Sequence, residues 1–403
     1  MRVALVHYWL LGNRGGERVL EAMCRLFPEA EIFTLFYDPE SVSPLIRSKV
    51  VHASALNPFR RVYRSLLPLM PMALESFDLR SYDLIISSES GPAKGVIAPS
   101  TARHVCYCHT PMRYLWELYP AYRNELRSST LASLMMAPIA SYLRTWDFST
   151  ASRVGSFFAN SENVRRRIWT TYRRQARVVY PPVAIETFYE KPAEDYFLMV
   201  SEMVAYKRLD YAISLFSRNG RKLRVVGDGP ERSKLKRLAR PNVELCGRVS
   251  ATELQELYAR CSAFVMPGEE DFGIAMVEAL ASGKPVIALG RGGALEIVTR
   301  GRGLLYAEPS EASLDEALHT FDQIRSSFEP SFLKSGASAF SESRFKYDFL
   351  RGLAAYWSQS RQWHEPTFSV QAVPLPHDGR PAPERRVVAI RESQDIASRG
   401  PLA

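Results

Sequence analysis

The sequence is short of several things that would name a chemistry at once. Its 403 residues hold five cysteines, Cys24, Cys106, Cys108, Cys246 and Cys261, and no two form a C-x-x-C pair. An odd, scattered set of thiols excludes a disulfide framework and argues against a zinc site, so they read as free thiols in a reducing compartment. There is no H-E-x-x-H, and no loop carries a D-x-D pair able to hold a divalent metal against a diphosphate. G-x-S-x-G, G-x-x-x-x-G-K-[ST] and G-x-G-x-x-G are missing too, which removes the nucleophile elbow, the P-loop and the nicotinamide fingerprint. The longest apolar stretch, Leu131 to Leu143, falls short of a membrane span. Met1 to Val6 is too short and wrongly flanked for a signal peptide. Acidic residues are in deficit, 43 against 52 basic, giving a net charge of +9. That balance favours anionic partners: nucleotides, phospholipid head groups or nucleic acid. No nucleic-acid recognition motif is present, so nucleic acid is not expected.

What is there is an alternation of strand and helix. Arg2 to Leu10, Glu31 to Phe36, Leu84 to Ser87, His104 to Tyr107 and Ser156 to Ala159 read as buried strands with helical patterns between them. "VVYPPVAIETF" at 178–188 interrupts the pattern, because paired prolines join neither a helix nor a central strand. Beyond it strands fit 197–200, 223–226, 243–246, 263–266, 285–288 and 303–306, with helices at 208–217, 231–238, 252–260, 273–281, 295–300 and 314–324. The expectation is an α/β protein of two doubly wound, Rossmann-like domains facing a central cleft: 1–179, 180–335, helices at 336–361, and a disordered proline- and charge-rich tail at 362–403.

Loops after strands carry the candidate ligand groups. In "PGEEDFGIAMVEALASGKPVIALGRGG", 267–293, Glu270 precedes a helix and Glu278 lies two turns inside it, with the amides of Phe272, Gly273 and Ile274 at the helix start. In "SEMVAYKRLD", Lys207 and Arg208 open a helix, where cations imply an anion nearby. Gly227-Asp228-Gly229 ends another strand in a turn that lets backbone approach a ligand, though such turns are common. In the first half, Gly15-Gly16 follows the first strand, and His109 follows the strand of "CYCHTPMRY".

These residues resemble the signature of the retaining glycosyltransferases of family 4, whose E-x7-E pair falls on Glu270 and Glu278. "GGERVLEAM", "CYCHTPMRYLWELY", "FFANSENVRRRI", "VVYPPV", "VSEMVAYKRLD" and "VVGDGPE" appear in the expected order, over roughly 1–360. The resemblance is strongest to a bacterial mannosyltransferase subgroup that builds O-antigens and exopolysaccharides. It implies a GT-B fold and a metal-independent hexosyl transfer from a nucleotide-sugar, GDP-mannose, with no cofactor. It also implies roles. Glu278 takes the ribose hydroxyls and Glu270 the sugar hydroxyls. The 272–274 amides and Lys207 meet the sugar and diphosphate, His109 touches the sugar, and Gly15-Gly16 approaches diphosphate and acceptor. The leaving phosphate would help deprotonate the acceptor, so no protein nucleophile is required.

One position departs from the family. Where an arginine commonly stands five residues before the lysine, this chain has Glu202. A carboxylate about 4 Å from a diphosphate costs on the order of 4 kcal/mol per charge pair at an effective dielectric near 20. Glu202 is therefore expected to point elsewhere, with Arg208 or another cation joining Lys207. Twelve arginines between 102 and 180, Arg123 and Arg127 among them, outnumber the acids there, and "NPFRRVYRSLLPLMPMALESF" sets Arg60, Arg61 and Arg64 beside Leu66, Leu67, Leu69 and Met70. Basic and apolar residues together suit an anionic bilayer. The expectation is a cytoplasmic enzyme, peripheral at the inner face of the cytoplasmic membrane, extending a polyprenyl-diphosphate-linked oligosaccharide. The rivals are a UDP-hexose donor on the same fold and a catalytically silent binding subunit, which Glu202 would favour. An epimerase would need acid and base residues around the sugar that are not identified.

Overall fold

The first strand, β1 (Val3–His7), is apolar along its length and every residue is buried. Strands of this kind belong in a parallel sheet covered on both faces. The computed structural model, which describes residues 1–120 and 130–360, contains two such sheets. Arg123, Arg127 and the tail expected to be disordered lie outside the described residues.

The first sheet adds β2 (Glu31–Thr34), β3 (Val51–Ala53), β4 (Leu84–Glu89), β5 (Arg103–Cys108), β6 (Ser156–Ala159) and β7 (Ala176–Val178), all parallel, in the order β3-β2-β1-β4-β5-β6-β7. The second contains β8 (Phe197–Val200), β9 (Leu223–Val226), β10 (Val243–Gly247), β11 (Ala263–Met266), β12 (Val286–Leu289) and β13 (Gly303–Tyr306), in the order β10-β9-β8-β11-β12-β13. Two edge strands, β3 and β7, are additions to the sequence reading. Each has three residues, the middle one exposed and its neighbours half-buried, too short a run to establish an alternation. Conversely, the helix expected at 295–300 is the single turn Ala294–Ile297, ended where Val298 leaves the helical conformation at ψ 66°.

The strand order reverses between β1 and β4 in one sheet and between β8 and β11 in the other. Ligands of open α/β sheets bind outside the carboxyl ends of the strands at such points. The loops in question are 8–14 and 90 onward in the first domain, and 201–208 and 267–273 in the second. Each sheet has its own core: Ala4, Val6, Phe33, Leu74 and Ile85 in one, Leu198, Phe264, Met266, Val277 and Leu280 in the other. The proline segment is held in place, with Val179 N donating to Ala159 O at 2.9 Å and Val183 N to Phe340 O at 2.9 Å. Phe345 and Phe349 near the C-terminal end then pack their rings against Tyr107 and Phe158 of the first sheet.

Candidate functional site

Two helix starts meet at the cleft. The first helix, Gly15–Leu26, follows β1, and its Arg14 N–H donates to Glu17 at 3.0 Å, closing the turn. A methyl on Gly15 would lie 2.9 Å from Ile274 Cδ1, and one on Gly16 2.8 Å from Tyr8 Oη and 3.7 Å from His109 Nε2. The glycines therefore let this helix start sit between His109 and the second domain. On the other side, Gly273 at φ 105° turns the chain into the helix Ile274–Ala281, whose first amides lack intrahelical acceptors. The structure thus brings Gly15, Gly16, His109, Gly273 and Ile274 into one place.

The paired carboxylates are held differently. Glu270 forms an ion pair with Lys207, both side chains largely buried. Glu278 is 3 % exposed and accepts from Tyr258 Oη at 3.0 Å and from Arg18 Nη1 of the first domain at 2.6 Å. Burial and then the Glu278 charge push the Tyr258 phenol well above its usual range, so it stays a donor. Glu202 faces Arg14 of the first domain across the cleft at 3.5 Å.

His109 accompanies two further groups at the ends of β1 and β4. Ser88 Oγ lies 2.9 Å from His109 Nε2 and 3.2 Å from His7 Nδ1. Burial lowers His109 to about 4, and burial, followed by the neighbouring His109, lowers His7 well below the ordinary value. Both imidazoles are neutral at pH 7, so this part of the cleft offers hydrogen bonds and no cation.

Other expected residues are placed otherwise. Arg208 caps its own helix in a left-handed conformation, pairs with Asp210 at 3.3 Å and lies over the Tyr211 ring, all partners on that helix. The Gly227-Asp228-Gly229 turn makes room for the chain itself. A methyl on Gly227, at φ 133°, would overlap the Ser201 carbonyl oxygen, and one on Gly229 would lie 2.5 Å from that of Met203. Asp228 accepts from Gly229 N at 2.9 Å and faces Arg232 at 3.5 Å. Much of the basic run is also structural. Arg174 donates to the carbonyls of Ala151 and Val154 at 2.6 Å each, and Arg144 to that of Leu115 at 2.8 Å. Arg167 joins Glu117 and Glu269, each at 2.7 Å, and Asp271.

Several residues of the cleft had been given no role from sequence. Arg14, Arg18 and Tyr258 are among them, as is Glu296, whose carboxylate accepts the amides of Glu162 at 2.8 Å and Asn163 at 3.1 Å. Arg18 sits in the quoted "GGERVLEAM" and Glu296 three residues beyond the quoted 267–293 stretch, but a charge's partner in another domain leaves no local signal. A shallow cavity of about 740 Å³ beside Arg2, Glu31, His52 and Tyr82 lies at the opposite, amino end of the first sheet, away from these groups.

Residues 13–187 match the family described as Glycosyltransferase Family 4, and residues 185–324 the one described as Glycosyl transferases group 1. Together these two glycosyltransferase models span residues 13–324, and the fold is that of the GT-B enzymes. Among relatives of this chain, an uncharacterized glycosyltransferase of Methanocaldococcus jannaschii is 31 % identical over 153 residues, 37 % of this chain and 44 % of that protein. A GDP-mannose-dependent alpha-mannosyltransferase of Mycobacterium tuberculosis is 39 % identical over 108 residues, 26 % of this chain and 28 % of that protein. The chain therefore spans less than half the length of these curated relatives. Two solved structures share the fold: Anabaena HepE in complex with UDP-glucose, at TM-score 0.65 and 17 % identity over 88 % of this chain and 100 % of that one, and sucrose-phosphate synthase from Thermosynechococcus elongatus, at 0.67 and 14 % over 89 % and 100 %.

Proposed function

We propose that this glycosyltransferase transfers mannose from GDP-mannose, with retention and without a metal, to a polyprenyl-diphosphate-linked oligosaccharide at the inner face of the cytoplasmic membrane. The observation that carries the reading is the Lys207–Glu270 pair beside the Ile274–Ala281 helix start, with buried Glu278 on that helix and His109 across the cleft. Glu278 offers a carboxylate to the ribose diol and Glu270 one to sugar hydroxyls, and hydrogen bonds to charged acceptors are the strong ones. Lys207 and the 272–274 amides meet the charge that grows on the leaving diphosphate as the C1–oxygen bond breaks. The acceptor oxygen bonds to C1 from the same face, and its proton passes to the departing phosphate oxygen. Neutral His109 orients the sugar. The GDP-mannose-dependent relative supports the donor.

The lipid-linked acceptor is supported by a surface of the first domain. In the turn Asn57–Leu69, Phe59 and Val62 are 57 % and 56 % exposed, beside exposed Arg61 and Arg64. Of the apolar residues read in the sequence, Leu69 is 45 % exposed, whereas Met70 belongs to the core and Leu66 and Leu67 pack against that core. Among the described residues no helix is long and apolar enough to cross a membrane.

The test is thermal unfolding with GDP, GDP-mannose, UDP and UDP-glucose, with and without magnesium. A ligand at a hundred times its Kd adds about 2.7 kcal/mol, roughly 5 °C or more for domains of this size. A shift selective for GDP and indifferent to magnesium supports the reading. A UDP-selective shift moves the donor to a UDP-hexose, and no shift with any nucleotide points to a silent binding subunit.

A further inference from the structure

We infer that Arg14, on the glycine loop of the first domain, supplies the second cation for the donor diphosphate, acting across the cleft in place of one at position 202. This rests on the nucleotide-sugar reading above. The second domain's wall of the cleft presents three carboxylates, Glu202, Glu270 and Glu278, and Lys207 is already paired with Glu270. Arg208 is engaged with Asp210, and Arg232 with Asp228. That wall alone is a poor seat for a dianion. The charge it lacks stands opposite. Arg18 is committed to Glu278 at 2.6 Å, whereas Arg14 meets Glu202 at 3.5 Å from the facing domain and is the most exposed of these arginines, 59 % against 45 % for Arg208 and Arg232.

A guanidinium carries five N–H donors, so one loose carboxylate contact leaves others for phosphate oxygens. Its position is fixed by neighbours that already belong to the site. Arg14 immediately precedes Gly15, whose Cα hydrogen faces Ile274 at the opposing helix start. The Arg14–Glu202 pair then does two things. It removes the repulsion that a bare carboxylate would exert on the donor, and it makes tight diphosphate binding depend on both domains. A chain with arginine at 202 would have no such dependence.

The experiment is calorimetric titration of the full chain with GDP and GMP, for wild type, Arg14→Ala, Glu202→Arg and the double variant. Both side chains are substantially exposed, so the fold should survive, and circular dichroism checks it. The expected result is a tenfold or greater loss of GDP affinity in Arg14→Ala, less than threefold for GMP, and recovery to within threefold of wild type in Arg14→Ala/Glu202→Arg. GDP binding within twofold of wild type in Arg14→Ala overturns the inference. So does an equal loss for GDP and GMP, which would place Arg14 away from the second phosphate, and so does a double variant that fails to recover. If wild type binds none of GDP, UDP or their sugars, the donor reading itself falls, and this inference with it.

Discussion

Arg18 and Glu278, 260 positions apart, meet across the cleft at 2.6 Å, and this Glu278 carboxylate is the one proposed for the donor ribose. Arg18 and a ribose diol therefore compete for one acceptor. Glu278→Gln keeps the shape and the Tyr258 contact but removes the charge, and should weaken nucleotide binding by about ten- to a hundredfold, the worth of a hydrogen bond to a charged group. Arg18→Ala removes the competitor and should leave nucleotide affinity equal or tighter. Titration with GDP separates the two. Equal losses in both variants would make Arg18 a ligand of the donor and not its rival.

Lys207 and Arg208 are adjacent, yet the structure gives them different partners, Glu270 across the loops and Asp210 on the same helix. Lys207→Ala should lower kcat by roughly a hundred- to a thousandfold, the usual effect of deleting a group that stabilises transition-state charge. Arg208→Ala should stay within tenfold. Initial rates at saturating donor decide it, and a larger loss at Arg208 would reinstate it at the phosphates.

The same contrast shows what could be read in advance. Buried strands were legible because both faces of a parallel sheet demand apolar residues, as in Val3–His7 and Ala263–Met266. The cleft followed from the glycine turns and from the motif that spans Glu270 and Glu278. Arg14 as the partner of Glu202 was not legible, because 188 residues of chain separate loops that meet only when two sheets face each other. The arginine-rich run misled for a related reason. Composition records charge, but only packing shows that Arg144, Arg167 and Arg174 are spent on the chain's own carbonyls and carboxylates.

Gly227 and Gly220 both have positive φ but stand in different surroundings. At Gly227, φ is 133° and a methyl would overlap the Ser201 carbonyl oxygen; at Gly220, φ is 78° with nothing within 4 Å. Gly227→Ala should cost roughly 3 kcal/mol or more through strain and overlap, seen as a fall in Tm of about 6 °C or more. Gly220→Ala pays only the left-handed penalty, about 1 kcal/mol. Equal melting shifts would mean the 201–203 loop does not rest on the Gly227-Asp228-Gly229 turn.

The buried histidines set a stability limit on the acid side. His104, bonded to Ser87 Oγ at 2.9 Å, and His109 are both lowered by burial to about 4, and His7 is lowered as well. Unfolded, each takes up a proton near pH 6.5. Between about 6.5 and 4 the unfolded chain therefore binds more protons than the folded one, and stability rises with pH across that window. The contribution is up to about 3 kcal/mol for a fully buried ring such as His104. Glu89 works against this. Burial first of all raises its carboxyl to about 7, so its share of stability is lost as pH climbs from about 4.5 to 7. Burial raises the Glu17 carboxyl as well, and three rings against two carboxyls leave a net loss on acidification. Urea denaturation at pH 5.0, 5.5, 6.0 and 6.5, above the range where exposed carboxylates titrate, should show stability falling steadily toward the acid end. His104→Asn should flatten that slope, and a profile that is level or rises on acidification, unchanged by His104→Asn, would mean that this ring is protonated in the folded protein.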